Sequence, residues 1–355
     1  MPRTRKPAIE AVPGELSVLK KIRARATRPL TPELRIGIGD DCALLNLPPG
    51  EELAVTTDLS IAGRHFRLDW HPAESVGHRV LARGLSDLAA MGARPVAAFL
   101  SLGLPADLVQ KPKGREPRRK PPWIDKFLNG FLALARQWQT PLAGGDLAES
   151  PVAFADVVLA GGVPQGEALL RSGAHPGDQI YVTGALGGAA AGLARLTDLA
   201  AAFKHSRAKS RPTELPRIAP RLKTLLAPHL YPTPRIAEAQ WIARNRLATA
   251  AIDLSDGLST DLAHLCEESV VAAEIDLATL PIAPGATLHQ ALHGGEDYEI
   301  LFTAAYSASV PAEIDGLPVT RIGRVVRPRP SASPVTLLTP EGPVPLAAQG
   351  WQHFA

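Results

Sequence analysis

A chain of 355 residues is long enough for two domains with separate cores. Its 38 basic and 35 acidic residues leave a net charge of +3, which gives no basis for binding nucleic acid or a membrane surface. Two cysteines, Cys42 and Cys266, exclude a disulfide framework and a structural zinc site, and with no apolar signal core and no apolar run of ~20 residues a cytoplasmic protein is expected.

Residues 1–14 are basic, Pro-containing and without periodicity, so a frayed end is expected. Residues 35–38 and 54–60 read as strands. "HPAESVGHRVLARGLSDLAAMGARP" (71–95) reads as a helix, with Pro72 in its first turn and Val76, Val80, Leu81, Leu85 and Leu88 at helical spacing. "VAAFLSLGL" follows as a buried strand. The basic, Pro-rich run around 111–120 reads as an exposed loop. "WIDKFLNGFLALARQW" is a helix and "VAFADVVLAGGVP" (152–164) an apolar strand. A turn-rich stretch over 165–178 marks a domain boundary. The second half restarts with the strand "QIYVTGA", a glycine turn and an Ala-rich helix, then Pro-interrupted helical pieces over 205–233. The helix "PRIAEAQWIARNR", the strand "ATAAIDLSDG", the helix "LSTDLAHLCEES" and the strands of "VAAEIDL", "GGEDYEILF" and "VTRIGRV" complete the chain. Strands and helices alternate in both halves, so the fold class is α/β, or α+β with mixed sheets.

The acids fall at strand ends and turns, beside Gly, Ser or Thr. Asp40, Asp41, Asp58, Asp87, Asp146, Asp253, Asp256, Asp261, Glu296, Asp297 and Glu299 all have apolar flanks. Carboxylates in such surroundings are costly unless paired or bound to a cation. Few Lys or Arg accompany them in the motifs, and converging carboxylates repel. Mg²⁺ resolves that repulsion through oxygen ligands, and glycine N–H groups can face phosphate oxygens. The residues therefore predict a Mg²⁺–nucleotide site built from strand ends of both halves. "TGALGGAAAG" lacks GxGxxG spacing and reads as a structural glycine turn.

In order, "GIGDDCALL", "TTDLSIAGRHF", "LSDLAAMGA", "LAGGD", "RSGAHPGDQIYVTGALGGAAAGL", "AIDLSDGLSTDL", "GGEDYEILF" and "GWQHF" closely resemble the thiamine-monophosphate kinase family. That family lies in the superfamily of aminoimidazole ribonucleotide synthetase, selenophosphate synthetase and the hydrogenase-maturation dehydratase. The resemblance runs from about Gly14 to Phe354. It implies a two-domain fold, with an ATP- and metal-binding, dimerising N-terminal domain over 14–164 and a C-terminal α/β domain over 165–354. It implies a homodimer and Mg²⁺-assisted transfer from ATP to thiamine monophosphate, giving thiamine diphosphate without a covalent intermediate. This is the last step of thiamine diphosphate biosynthesis.

By the same resemblance, Asp41, Thr56, Thr57, Asp58, Asp87, Asp146, Asp253 and Asp256 match metal positions. Gly145, Asp146, Arg171 and Ser255 match nucleotide positions. His65, Glu296 and Trp351 match positions that hold the thiamine part. The sequence departs from the family at Ala62 (usually an acid), Gly84 (usually Asn) and Tyr231 (commonly Arg). These departures leave open a catalytically silent paralogue that senses nucleotide or thiamine phosphate; the other alternative is another ATP-cleaving enzyme of the superfamily. No cysteine precedes Cys42 or ends the chain, as the selenium and hydrogenase chemistries require.

Overall fold

The computed structural model describes residues 15–26, 31–39, 41–109, 121–206, 220–330 and 333–351. Residues 1–14, Asp40, the basic run 111–120, much of the Pro-interrupted stretch (207–219) and the last residues of "GWQHF" lie outside them.

The first half holds α1 (Glu15–Ala26), β1 (Leu34–Ile36), β2 (Leu44–Leu45), β3 (Glu51–Ile61), α2 (Ala73–Ala90), β4 (Arg94–Leu104), α3 (Ala106–Val109), α4 (Trp123–Gln137), β5 (Leu142–Glu149) and β6 (Phe154–Pro164). β1 and β2 form a small ribbon. The main sheet runs β3-β6-β4-β5, antiparallel except for the parallel pair β4/β5. The second half holds β7 (Gln179–Thr183), α5 (Gly188–Ser206), α6 (Pro220–Leu230), α7 (Ile236–Arg244), β8 (Ala250–Asp253), α8 (Leu258–Ser269), β9 (Ala272–Asp276), α9 (Leu288–His293), β10 (Ile300–Ala304), β11 (Glu313–Ile314), β12 (Leu317–Val326), β13 (Val335–Thr339) and β14 (Gly342–Pro345). Its sheet runs β14-β13-β9-β12-β7-β10-β8, with β11 paired to β12. Both sheets are mixed, as the alternation predicts. The β13/β14 hairpin is an addition to the predicted strands. "LAGGD" is not a turn but the start of edge strand β5, because parallel pairing with β4 extends it.

One core runs from the first sheet through α2, α4 and α7 to Ile300 and Phe302 on β10. A second core lies against α8, with Ile252, Leu262, Ile275 and Leu301. Helix α2 is buried on nearly every side and touches β3, β4, β6, α4, α6, α7 and β8. Such depth requires close backbone approach to α4. Gly77 faces the Phe127 carbonyl, and Gly130 of α4 faces the Glu74 carbonyl, each where a Cβ would overlap the oxygen. The two helices thus meet through reciprocal glycines.

Gly77→Ala should therefore force α2 and α4 apart and destabilise the protein by about 1–3 kcal/mol, the usual cost of overpacking a core. Urea unfolding of the variant measures it; an unchanged midpoint would contradict this packing.

Candidate functional site

A cleft of about 560 Å³ opens between the two halves. It is lined by Thr57, Asp58, His65, Asp87, Asp253, Ser255, Asp256, Glu296 and Trp351, among others. Nine residues predicted from sequence therefore share one cavity. Thr56 joins them through a 2.5 Å hydrogen bond from its hydroxyl to Asp87. Arg171 is exposed, yet its charge acts on Asp253.

Three predicted residues lie elsewhere. Asp41, Gly145 and Asp146 line a second cavity of about 440 Å³, beside α1 and β5. Asp58 sits on β3 and Asp146 on β5, the opposite edge strands of one sheet. Three strand spacings separate those strands, roughly 14 Å, so one ion cannot bridge the two carboxylates. Among the described residues no group of three or more metal-ligating side chains closes around a common point. The Thr57 hydroxyl donates to Asp156 at 3.0 Å.

The charges along α2 organise the cleft. Arg79, Arg83 and Asp87 are spaced i, i+4, i+8, which places them on one helix face. Arg79 donates to Glu296 at 2.5 Å. Arg83 forks onto Asp58 at 2.6 and 2.9 Å. Asp87 accepts from Thr56. Ser86 donates to Asp253 at 2.6 Å. The acidic motifs themselves hold few basic residues, and the fold supplies their basic partners from elsewhere. The arginines come from α2 and meet their partners only after folding, so no local motif displays them together.

Burial raises Asp58 against the opposing pull of Arg83. It raises Asp87 to about 7, reinforced by Asp253 and resisted by the Thr56 hydrogen bond. Asp253 is raised by burial against Ser86 and Arg171. Asp87 and Asp253, buried, mutually repelling and met by hydroxyls, form a hard-oxygen pair short of positive charge, and this fits a divalent cation such as Mg²⁺.

The acids of "GGEDYE" separate into three tasks. Glu296 faces the cleft. Asp297 accepts from the Gly187 and Ala189 N–H groups and so caps the start of α5. Glu299 is held by an Arg235 fork at 2.6 and 2.8 Å and by Thr183 at 2.7 Å. Asp261 likewise turns back to the N–H groups of Asp256 and Gly257 at 3.0 and 2.9 Å. Asp297, Glu299 and Asp261 are therefore structural acids, not members of a ligand cluster. The glycines serve close approach: a Cβ on Gly295 would press on the Ser255 carbonyl. Next to it the Glu296 N–H bonds that same carbonyl at 2.8 Å. Glu296 and Tyr298 both hold positive φ, of 68° and 53°, a strained backbone of the kind found at functional sites.

A histidine relay supports Glu296. The Arg67 N–H donates to His71 Nδ1 at 3.0 Å, so a neutral His71 carries its proton on Nε2. That proton faces His229 Nε2 at 3.0 Å. His229 then carries its own proton on Nδ1, 3.3 Å from Glu296 Oε2 and poorly aligned with it. Burial would raise the Glu296 carboxyl, but Arg79, His229 and Arg83 together hold it well below the usual range. "HLYPTPR" thus clamps "GGEDYE" at two points, through His229 on Glu296 and Arg235 on Glu299. Tyr231 between them packs edge-on against His78, with ring centroids 5.3 Å apart. Gly84 backs onto Leu159, where a Cβ would stand 2.8 Å from Cδ1, so an Asn here would displace a core leucine.

The C-terminal segment closes one wall. The Gly350 N–H bonds Thr260 Oγ1 at 3.0 Å and the Trp351 N–H bonds the Asp256 carbonyl at 3.2 Å. Trp351 thereby reaches the cleft from the far end of the chain.

Comparisons with known proteins show the family and the fold. The AIR synthase related protein N-terminal domain matches residues 39–163, and the corresponding C-terminal domain matches 175–332. Thiamine-monophosphate kinase of Escherichia coli K12 is 37% identical over 356 aligned residues, covering 96% of this chain and 98% of the relative. The chain belongs to the thiamine-monophosphate kinase family. Thiamine-monophosphate kinase from Stenotrophomonas maltophilia K279a has a similar structure, with a TM-score of 0.71, 34% identity, and coverage of 92% of this chain and 97% of that one. A structure described as AaThiL complexed with AMPPCP and TMP matches with a TM-score of 0.70 and 29% identity, over 96% and 97% of the two chains. The expected family and two-part mixed α/β fold hold.

The relay has a pH signature. Burial, Arg79 and His229 lower His71 from 6.5 to about 3. A histidine depressed in the folded state binds fewer protons than in the unfolded chain, so its stabilisation is complete above pH 6.5 and is lost as pH falls toward 3. The stability difference between wild type and His71→Gln should shrink steadily over that window. Urea titrations at successive pH values test this, and a constant difference would refute the neutral relay.

Proposed function

We propose that this chain phosphorylates thiamine monophosphate with ATP, yielding thiamine diphosphate and ADP by direct transfer. The observation that carries this reading is the shared cleft, in which Asp58, Asp87, Asp253 and Asp256 face the same space as His65, Glu296 and Trp351. The similarity to thiamine-monophosphate kinases over almost the whole chain supports it. So does the likeness to a relative described with AMPPCP, an ATP analogue, and TMP. The silent-sensor alternative is not favoured, since the acids are retained and four of them share the cleft.

Both reactants are anions, so catalysis is mainly positioning and charge neutralisation. Asp58, Asp87, Asp253 and Asp256, with Thr56 and Thr57, are the residues that would hold Mg²⁺. Mg²⁺, when bound, supplies positive charge to the phosphate oxygens during transfer. Ser255, Arg171, Gly145 and Asp146 belong to the nucleotide side, and Asp41 and Asp146 would hold metal at the second cavity beside β5. His65, Glu296 and Trp351 hold the thiamine part: the carboxylate attracts its cationic ring and the indole stacks on it. Residues 14–164 form the ATP- and metal-binding domain and 165–354 the C-terminal domain.

The working unit is a cytoplasmic homodimer in this reading. Leu53, Val55 and Leu59 on β3 are 55%, 61% and 45% exposed and share one sheet face by strand alternation. A second copy covering this face would remove an apolar patch unusual for a monomer.

Purified protein with ATP and Mg²⁺ should form ADP and thiamine diphosphate in equal amounts, only when thiamine monophosphate is present and not with EDTA. ATP cleavage indifferent to thiamine monophosphate would overturn the assignment. Asp58→Asn should lower kcat by about two orders of magnitude or more while the fold is retained. Glu296→Gln should raise KM for thiamine monophosphate about ten-fold and leave that for ATP nearly unchanged; equal effects on both would assign Glu296 to another role.

A further inference from the structure

Arg83 has no role in the reading above, yet it lines the cleft. Its guanidinium forks onto both oxygens of Asp58, at 2.6 and 2.9 Å. The two side chains keep 18% and 19% exposure, so the pair faces the cavity rather than the core. Arg79, one turn earlier, differs: it is 5% exposed and tied to Glu296. Arg67 at the rim is engaged by Asp69 and lies over the Trp70 ring.

A strut between β3 and α2 is the simplest alternative use for the Arg83–Asp58 pair. The fold does not need it for that purpose. Thr56 to Asp87 already makes the same connection one helical turn further on, and β3 packs against α2. The fork has a second implication. A carboxylate with both oxygens on one guanidinium offers a cation at most a shared oxygen. Carboxylate and phosphate present the same paired-oxygen geometry to arginine, so the guanidinium can exchange one for the other within the same cleft.

We propose that Arg83 is a phosphate-binding residue of this site: in the ligand-free enzyme it occupies Asp58 in place of a divalent cation, and when metal and substrate enter it passes Asp58 to the metal and pairs with a substrate phosphate oxygen. This inference rests on the kinase reading. It adds a mobile positive charge on α2 to the charge that metal supplies, and it makes metal and phosphate binding mutually supportive. Each ligand takes one half of an ion pair that neither half leaves alone at low cost.

The test compares wild type, Arg83→Gln, Arg83→Lys and the double variant Arg83→Gln/Asp58→Asn. Mn²⁺ binding without nucleotide is measured by electron paramagnetic resonance of the free ion, and circular dichroism confirms that each variant is folded. Arg83→Gln should bind Mn²⁺ at least five-fold more tightly than wild type, because Asp58 is released. The double variant should lose that gain. In turnover with ATP and thiamine monophosphate, Arg83→Gln should fall at least fifty-fold in kcat/KM without rescue by excess Mg²⁺, and Arg83→Lys should fall less. Unchanged or weaker Mn²⁺ binding by folded Arg83→Gln would overturn the place-holding role, and near-wild-type turnover would overturn the phosphate contact. If wild type itself makes no thiamine diphosphate, the kinase reading fails and the phosphate contact with it, while the Mn²⁺ comparison still decides the place-holding role.

Discussion

The close approach of α2 to α4 is the contact on which the rest depends. Two glycines let the backbones meet where any side chain would collide, and α2 sinks between the halves of the molecule. A helix this deeply buried has little room for charge. It nevertheless carries Arg79, Arg83 and Asp87 on one face, which is tolerable because that face looks into the cleft and each charge has a partner from another element. The helix thus fixes the spacing of Glu296, Asp58 and Asp253 relative to one another. Those residues come from a loop, an edge strand and a strand end, none of which could hold that spacing alone.

The "GGEDYE" segment shows how one short run serves several physical needs. Asp297 satisfies N–H groups at the start of α5 that have no partner within the helix. Glu299 answers Arg235. Only Glu296 is aimed at the cavity, and it is turned there by a positive φ. The strain is held by Gly295 against Ser255 on one side and by the Arg79 and His229 contacts on the other. A cleft-facing acid and two fold-holding acids are therefore built from one short run.

Much of this was legible in the sequence. Periodicity placed α2, α4, α7 and α8 within a few residues of their ends, since each has a clear apolar stripe or capping context. The β13/β14 hairpin was not legible, because Pro-rich flanks mask short strands whose pairing comes from β9. Within the site, Asp58, Asp87, Asp253 and Asp256 were visible because each lies in a small-residue turn or strand end with apolar flanks. Their separation from Asp41 and Asp146 was not, since strand order in the sheet decides it and β6 inserts between β3 and β4. Arg79 and Arg83 could have been found from the i, i+4, i+8 spacing ending at Asp87. His71 and His229 carry no such signal: 158 residues separate them, and only the packed structure joins their rings.

The pattern of pairing itself identifies where foreign charge belongs. Glu296 and Glu299 have arginine forks or contacts, and Asp297 and Asp261 have backbone amides. Each of these carboxylates is matched inside the protein. Asp87 and Asp253 are instead met by the hydroxyls of Thr56 and Ser86, which carry no net charge, while burial and mutual repulsion push both upward. A fold that pairs some of its buried acids and leaves two adjacent ones with neutral donors concentrates its electrostatic deficit at one point. A divalent cation at Asp87 and Asp253 would relieve that deficit without disturbing the pairings of Glu299, Asp297 and Asp261, so acids that build the fold can sit within a few residues of acids open to a ligand.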